Sequence, residues 1–119
     1  VKFHDGTPFT ADDVVFTLAR AAGDGSDMKS YVNEIKEVRK VSDFVVDIET
    51  KAPFPILPDV LTLPGIMSKK WCEENQALKP VDRRKGIENA ASFKVNGTGP
   101  FTLRERQPNV KTVMLRNPN

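Results

Sequence analysis

The sequence predicts an α+β fold in which β-hairpins pack with one well-capped helix and several short helices. Three observations carry that prediction. Residues 44–50, 101–106 and 110–116 alternate apolar and polar side chains beside turn-forming clusters, as half-buried strands do. Thr10-Ala11-Asp12-Asp13 has the form of a capping box and opens onto apolar residues at helical spacing. The stretch from Ala52 to Pro58 is proline-dense, and the helical segments after it are short.

Val1-Lys2-Phe3 reads as the tail of a strand, and His4-Asp5-Gly6-Thr7-Pro8 as the turn that follows, with Asp5-Gly6 suited to a positive φ. In the helix beyond, the Thr10 hydroxyl can accept from a free amide of the first turn, and the Asp13 carboxylate can reach back to the Thr10 amide. Two acids there complement the positive end of the helix dipole. Val14, Leu18 and Ala21, flanked by Val15 and Ala22, make one apolar stripe, and Gly23-Asp24-Gly25-Ser26 ends it. Met28, Tyr31, Val32, Ile35 and Val38 keep helical spacing, which alone would carry a second helix to Val38. The alternation of Phe44, Val46, Ile48 and Thr50 demands a strand partner, however, and residues 35–41 are the nearest. The expectation is therefore a short helix near 28–34 and a hairpin of 36–41 with 44–50, turning at Asp43.

Pro55 is placed to open a short helix through Leu61, because a missing amide is harmless in a first turn. Leu63-Pro64-Gly65-Ile66-Met67 reads as an apolar loop, and Ser68 as the cap of a helix through Glu74 bearing Trp71 and Cys72. Residues 76–92 are polar and loop-rich. Asn96-Gly97-Thr98-Gly99-Pro100 makes a turn into a strand from Phe101 to Arg106, and Gln107-Pro108-Asn109 a corner before the partner strand Val110–Arg116. No repeat or low-complexity tract divides the chain, so residues 1–119 form one unit.

Composition narrows the function classes. The chain is 39% hydrophobic and 29% charged, which fits a globular protein, and no apolar run is long enough to span a bilayer. One cysteine excludes an internal disulfide and a cysteine-rich zinc module. The net charge of +2 is unevenly spread, with residues 1–60 acidic and residues 61–119 basic. Yet the tightest basic cluster, Arg83-Arg84-Lys85, stands between Asp82 and Glu88 without interleaved aromatics, which is a solvated face rather than a nucleic-acid site. The chain opens at Val1 rather than Met and reads as an excised piece, so the lack of a signal peptide says nothing of location.

No catalytic constellation emerges. His4 adjoins Asp5, but neighbours in sequence rarely aim at one another, and a structural histidine in a turn is the plainer reading. His4 and Cys72 lack metal-ligand spacing, and Cys72 beside Trp71 reads as a small buried hydrophobe. The Gly97-Thr98-Gly99-Pro100 turn lacks the Lys-Ser/Thr of a phosphate loop. Asn96-Gly97-Thr98 matches a glycosylation sequon, a pattern too short to carry weight. Asp12-Asp13 and Glu73-Glu74 have plainer uses at helix ends. A non-catalytic module without cofactor or metal is what remains.

Two stretches together resemble a known family. Val1-Lys2-Phe3-His4-Asp5-Gly6-Thr7-Pro8-Phe9-Thr10-Ala11-Asp12-Asp13-Val14-Val15-Phe16 is similar to the signature of the family 5 extracellular solute-binding proteins, the dipeptide-, oligopeptide- and nickel-binding receptors of ABC importers. Asn96-Gly97-Thr98-Gly99-Pro100-Phe101, followed by Leu115-Arg116-Asn117-Pro118-Asn119, resembles the family's later landmark. The resemblance covers essentially the whole chain. It implies a fragment of a much longer, two-lobed protein with the type II periplasmic-binding fold, in which residues 1–119 are the extra subdomain of the first lobe. It further implies capture of a peptide or other small solute in the periplasm, or outside the cell on a lipid tether, and delivery to ABC permease subunits. Catalysis, nucleic acid and direct membrane contact are not implied.

Under that resemblance Asp5, Gly6, Thr10, Asp13, Gly97, Gly99 and Pro100 are architectural, shaping turn, cap and hairpin rather than touching solute. The local candidates for a cleft wall are Thr62, Leu63 and Pro64 before Gly65, with Met28 and Tyr31 at the second helix. Packing of Leu63 and Met28 in the core is the competing reading. The segment Leu61–Gly65 has no arginine or aromatic, which speaks against an anion or metal-chelate contact from this loop. A rival class is the ligand-sensing or interaction domain of a regulator using the same architecture, and a hydrolase stands a distant third.

Overall fold

Helix α1, Ala11–Ala21, organises the chain in the computed structural model, which describes every residue from Val1 to Asn119. Thr10 is extended before it, and its N–H donates to Asp13 Oδ2 at 2.9 Å, the return half of the capping box. Arg20 in the last turn and Asp12 and Asp13 in the first oppose the helix dipole. Leu18 and Ala21 are buried with Val32, and Val14, Met28, Ile35, Val38, Ile48 and Leu61 pack around them. Ala22, expected beside this stripe, is exposed at the C-cap, whereas Thr17 is buried on the side facing Met67.

The ambiguous segment resolves into α2, Lys29–Val32, and an antiparallel hairpin of β1, Ile35–Ser42, with β2, Val45–Thr50. A register shift explains why its spacing looked helical. Between Ile35 and Glu37 the partner advances one residue while β1 advances two, so Lys36 is a bulge. Ile35 and Val38, an odd number apart, are thereby both turned toward α1. A strand with one bulge and a helix share the three-residue interval.

Helix α3, Leu57–Val60, begins later than expected. Leu57 N–H donates to Phe54 C=O at 3.1 Å, so Phe54–Leu57 is a turn with Pro55 second, where its fixed φ fits, and Pro58 takes the first-turn place. Helix α4, Lys69–Glu74, is capped as expected, Ser68 Oγ accepting from Trp71 N–H at 3.2 Å, and it buries Cys72. Residues 76–92 hold two 3-10 turns, Arg83–Lys85 and Ala90–Ser92, each capped by the preceding Asp82 or Asn89 side chain. All three basic residues of the first turn are exposed.

The second hairpin pairs β3, Phe101–Gln107, with β4, Lys111–Arg116, and has a bulge at Arg104. Val110, expected in the strand, stays in the turn, its N–H donating to Gln107 C=O. The strand tail expected at Val1–Phe3 is reduced to one bridge between Lys2 and Pro8. The Asp5-Gly6 turn, with Gly6 at φ +84°, folds the segment onto itself, and Pro8 has no N–H for a ladder.

The assembled chain is loose. Its radius of gyration is 15.1 Å, against about 13.5 Å for a compact chain of this length. Its accessible surface is 8211 Å², where a compact monomer of this mass would show about 6,500 Å². Only 12 of 119 residues are buried, so most apolar side chains are left partly uncovered.

Candidate functional site

The two recognisable motifs, about ninety positions apart, lie against each other. His4 N–H donates to Gly97 C=O at 2.8 Å, Gly97 N–H donates to His4 Nδ1 at 3.2 Å, and His4 Nε2 donates to Gly99 C=O at 3.0 Å. This pattern assigns a neutral imidazole with its proton on Nε2. One residue along, Asn96 Nδ2 donates to Asp5 Oδ2 at 2.8 Å and Asn96 Oδ1 accepts from Asp5 N–H at 3.2 Å. The first turn thus carries the second hairpin. Burial alone pushes the Asp5 carboxyl up, but donors from Thr7 and Asn96 and the charge of Lys70 outweigh it and hold the group below its ordinary value.

Asp13 does more than cap α1. Its other oxygen, Oδ1, accepts from Lys69 N–H at 2.8 Å, so one buried carboxylate joins the starts of α1 and α4. Thr17 Oγ1 accepts from Met67 N–H at 2.9 Å and donates to Met67 C=O at 3.4 Å, extending the seam. Sequence reasoning placed Asp13 in the cap and missed its second partner and Thr17 altogether. A threonine amid an apolar stripe was the available signal, since a polar side chain on a buried face needs a partner.

The five cleft-wall candidates are distributed as follows. Met28 packs on the Leu18–Ala21–Val32 cluster, which Leu61 also joins, so the start of α2 and the end of α3 meet at the same core. Tyr31 is 43% exposed and Leu63 52% exposed. Thr62 Oγ1 donates to Asp59 C=O at 2.7 Å, and Pro64 is buried. None of the five lines one of the chain's larger concavities. The widest of these, about 1070 Å³ and open, runs from α2 to the Arg83–Lys85 turn and has no apolar side chain in its wall. A small-molecule pocket is ordinarily concave and mostly apolar, so this one has the wrong chemistry.

The remaining reactive groups are quiet. Burial raises the Cys72 thiol above its ordinary value, the reverse of nucleophile activation. Arg20 is lowered by burial and donates from Nε to Ala77 C=O and from its terminal nitrogen to Lys79 C=O, tying α1 to the chain after α4. No three His, Cys, Asp or Glu side chains are grouped to hold a metal ion. What the arrangement does is fix loops against one helix.

The same architecture recurs in known proteins. The family model of bacterial extracellular solute-binding proteins, family 5 middle, matches residues 1–119. The chain belongs to this family. A relative described as an ABC transporter peptide-binding protein of Brucella ovis is 31% identical over 121 residues, covering 99% of this chain and 22% of the relative. A peptide ABC transporter periplasmic-binding protein of Sinorhizobium fredii is 30% identical over 94 residues, 79% of this chain and 17% of its own length. Among solved family 5 folds, AppA of Bacillus subtilis in complex with a nonapeptide aligns at a TM-score of 0.72 with 27% identity, covering 98% of this chain and 23% of AppA. NikZ of Campylobacter jejuni in complex with Ni(L-His) aligns at 0.77 with 24% identity, covering 98% of this chain and 22% of NikZ, a likeness of fold. The chain thus spans about a fifth of the length of the family 5 proteins it matches.

Proposed function

We propose that this chain is one subdomain, residues 1–119, of the first lobe of a two-lobed receptor. That receptor captures a peptide or similar small solute in the periplasm or on the outer cell surface and delivers it to an ABC permease. The observation that carries the reading is the match of the whole chain to family 5, with relatives described as peptide-binding. The accessible surface, about a quarter larger than a compact monomer's, supports it, since neighbouring parts of a lobe would cover such an excess. The chain contributes by binding and not by catalysis.

Within that receptor Met28, Tyr31, Thr62, Leu63 and Pro64 form one wall of the cleft. Tyr31 and Leu63 stand out of the surface, offering an aromatic and an aliphatic contact. Met28 and Pro64 back them from the packed side, and the Thr62 hydroxyl bond to Asp59 holds the loop. The wall has no charged side chain among these five, which suits a peptide held through its backbone and apolar side chains. The test is the full-length receptor titrated with short peptides. Tyr31→Ala and Leu63→Ala are each expected to weaken binding by about 1 kcal/mol or more without lowering the melting temperature. Unchanged affinity in both variants would remove this wall from the site.

A further inference from the structure

We infer that Asn96-Gly97 is a latent succinimide site that Asp5 holds closed. An asparagine followed by glycine is open to attack by the glycine nitrogen on the side-chain carbonyl carbon, because glycine has no side chain to shield that nitrogen. A Cβ placed on Gly97 would sit 3.4 Å from His4 Cε1, so the His4 ring lies directly against this position. In the reaction the Gly97 N–Asn96 Cγ bond forms and the Cγ–Nδ2 bond breaks. The Gly97 amide proton leaves with Nδ2 as ammonia, and water then opens the ring to aspartate or isoaspartate.

Two features of the turn bear on that chemistry. Both ends of the Asn96 carboxamide are tied to Asp5, Nδ2 donating to Oδ2 at 2.8 Å and Oδ1 accepting from the backbone N–H at 3.2 Å. To swing its carbonyl carbon over Gly97 the side chain must surrender both bonds at once. The Gly97 N–H, meanwhile, donates to the unprotonated Nδ1 of His4 at 3.2 Å, so the proton that must leave already points at a base. Asp5 is the restraint, and His4 the acceptor that acts once the restraint is released.

The product would undo the contact. Conversion of the Asn96 amide to an acid removes the Nδ2 donor and sets a second carboxylate against Asp5, a like-charge pair. Isoaspartate also lengthens the backbone just before the Gly99-Pro100 turn into β3. Ageing at this one site would therefore loosen the seat of the second hairpin.

Peptide mapping of the purified protein during incubation at neutral pH, with isoaspartate quantified at residue 96, tests the inference. Asp5→Ala should accelerate conversion several-fold over wild type, and adding His4→Ala to it should slow the reaction again. Equal rates in wild type and Asp5→Ala would overturn the inference. A measurement independent of any variant compares native wild type with a free peptide spanning residues 93–101. The native chain should convert several-fold more slowly, and equal rates would likewise overturn it.

Discussion

Hairpin β1–β2 lies along α1, with Val38 and Ile48 packed around Leu18, whereas hairpin β3–β4 has no helix packed along it. Both are two-stranded, bulged and of similar length. Both leave apolar side chains bare, Phe44 at 81% exposure in the first and Phe101 at 57% and Met114 at 59% in the second. A two-stranded hairpin alone is marginal in water. The first owes its stability to a shared core, and the second to its seat, the hydrogen bonds of His4 and Asp5 to the turn at 96–99. The contrast teaches that two hairpins of like build can be held by different means, one by apolar packing and one by hydrogen bonds. In the proposed receptor, neighbouring parts of a lobe would cover their bare apolar residues.

Breaking the core under the first hairpin should have the largest effect. Leu18→Ala, at a residue only 3% exposed, is expected to cost about 2–5 kcal/mol in urea unfolding. Met114→Ala on the second hairpin should change the stability of this chain by no more than about 0.5 kcal/mol. Equal losses would erase the distinction between the two. Next comes the seam that ties α1 to α4. Asp13→Ala leaves the Thr10 and Lys69 amides without their acceptor and should cost about 1–3 kcal/mol, with Asp13→Asn restoring part of it.

A pH-dependent effect belongs to the seat of the second hairpin. The Asp5 carboxyl lies lower in the folded chain than unfolded, so its contribution is complete above the ordinary carboxylate range. That contribution is lost as pH falls through the depressed folded value. Melting temperature followed against pH should therefore show an acid decline that Asp5→Asn reduces. Hydrogen exchange should show the loss first at the Thr7 amide, which donates to Asp5 Oδ1. An acid decline of the same size in Asp5→Asn would assign it to other carboxylates.

Much of this architecture was legible in advance because its causes are local. The Thr10–Asp13 cap, the Ser68 cap and both hairpin corners are written in neighbouring residues, and each formed near its expected place. The departures also have local causes: a turn at Phe54–Leu57 that claimed Pro55, and a chain fold-back that left Val1–Phe3 unpaired but for one bridge. What could not be read is long-range. Nothing near Asn96 shows that its partner is Asp5, and nothing near Asp13 shows that it serves Lys69. The proposed cleft wall was legible only through family likeness, because Met28 and Leu63 are apolar residues of a kind that packs equally well in a core.

Calorimetric titration of the 119-residue chain with di- to pentapeptides, alongside the full-length receptor, meets the central claim most directly. On the proposed reading, in which these residues supply one wall of a two-lobed cleft, the chain should give no heat of binding at peptide concentrations that saturate the receptor. Micromolar binding by the chain alone would contradict the account, placing a complete site within these residues.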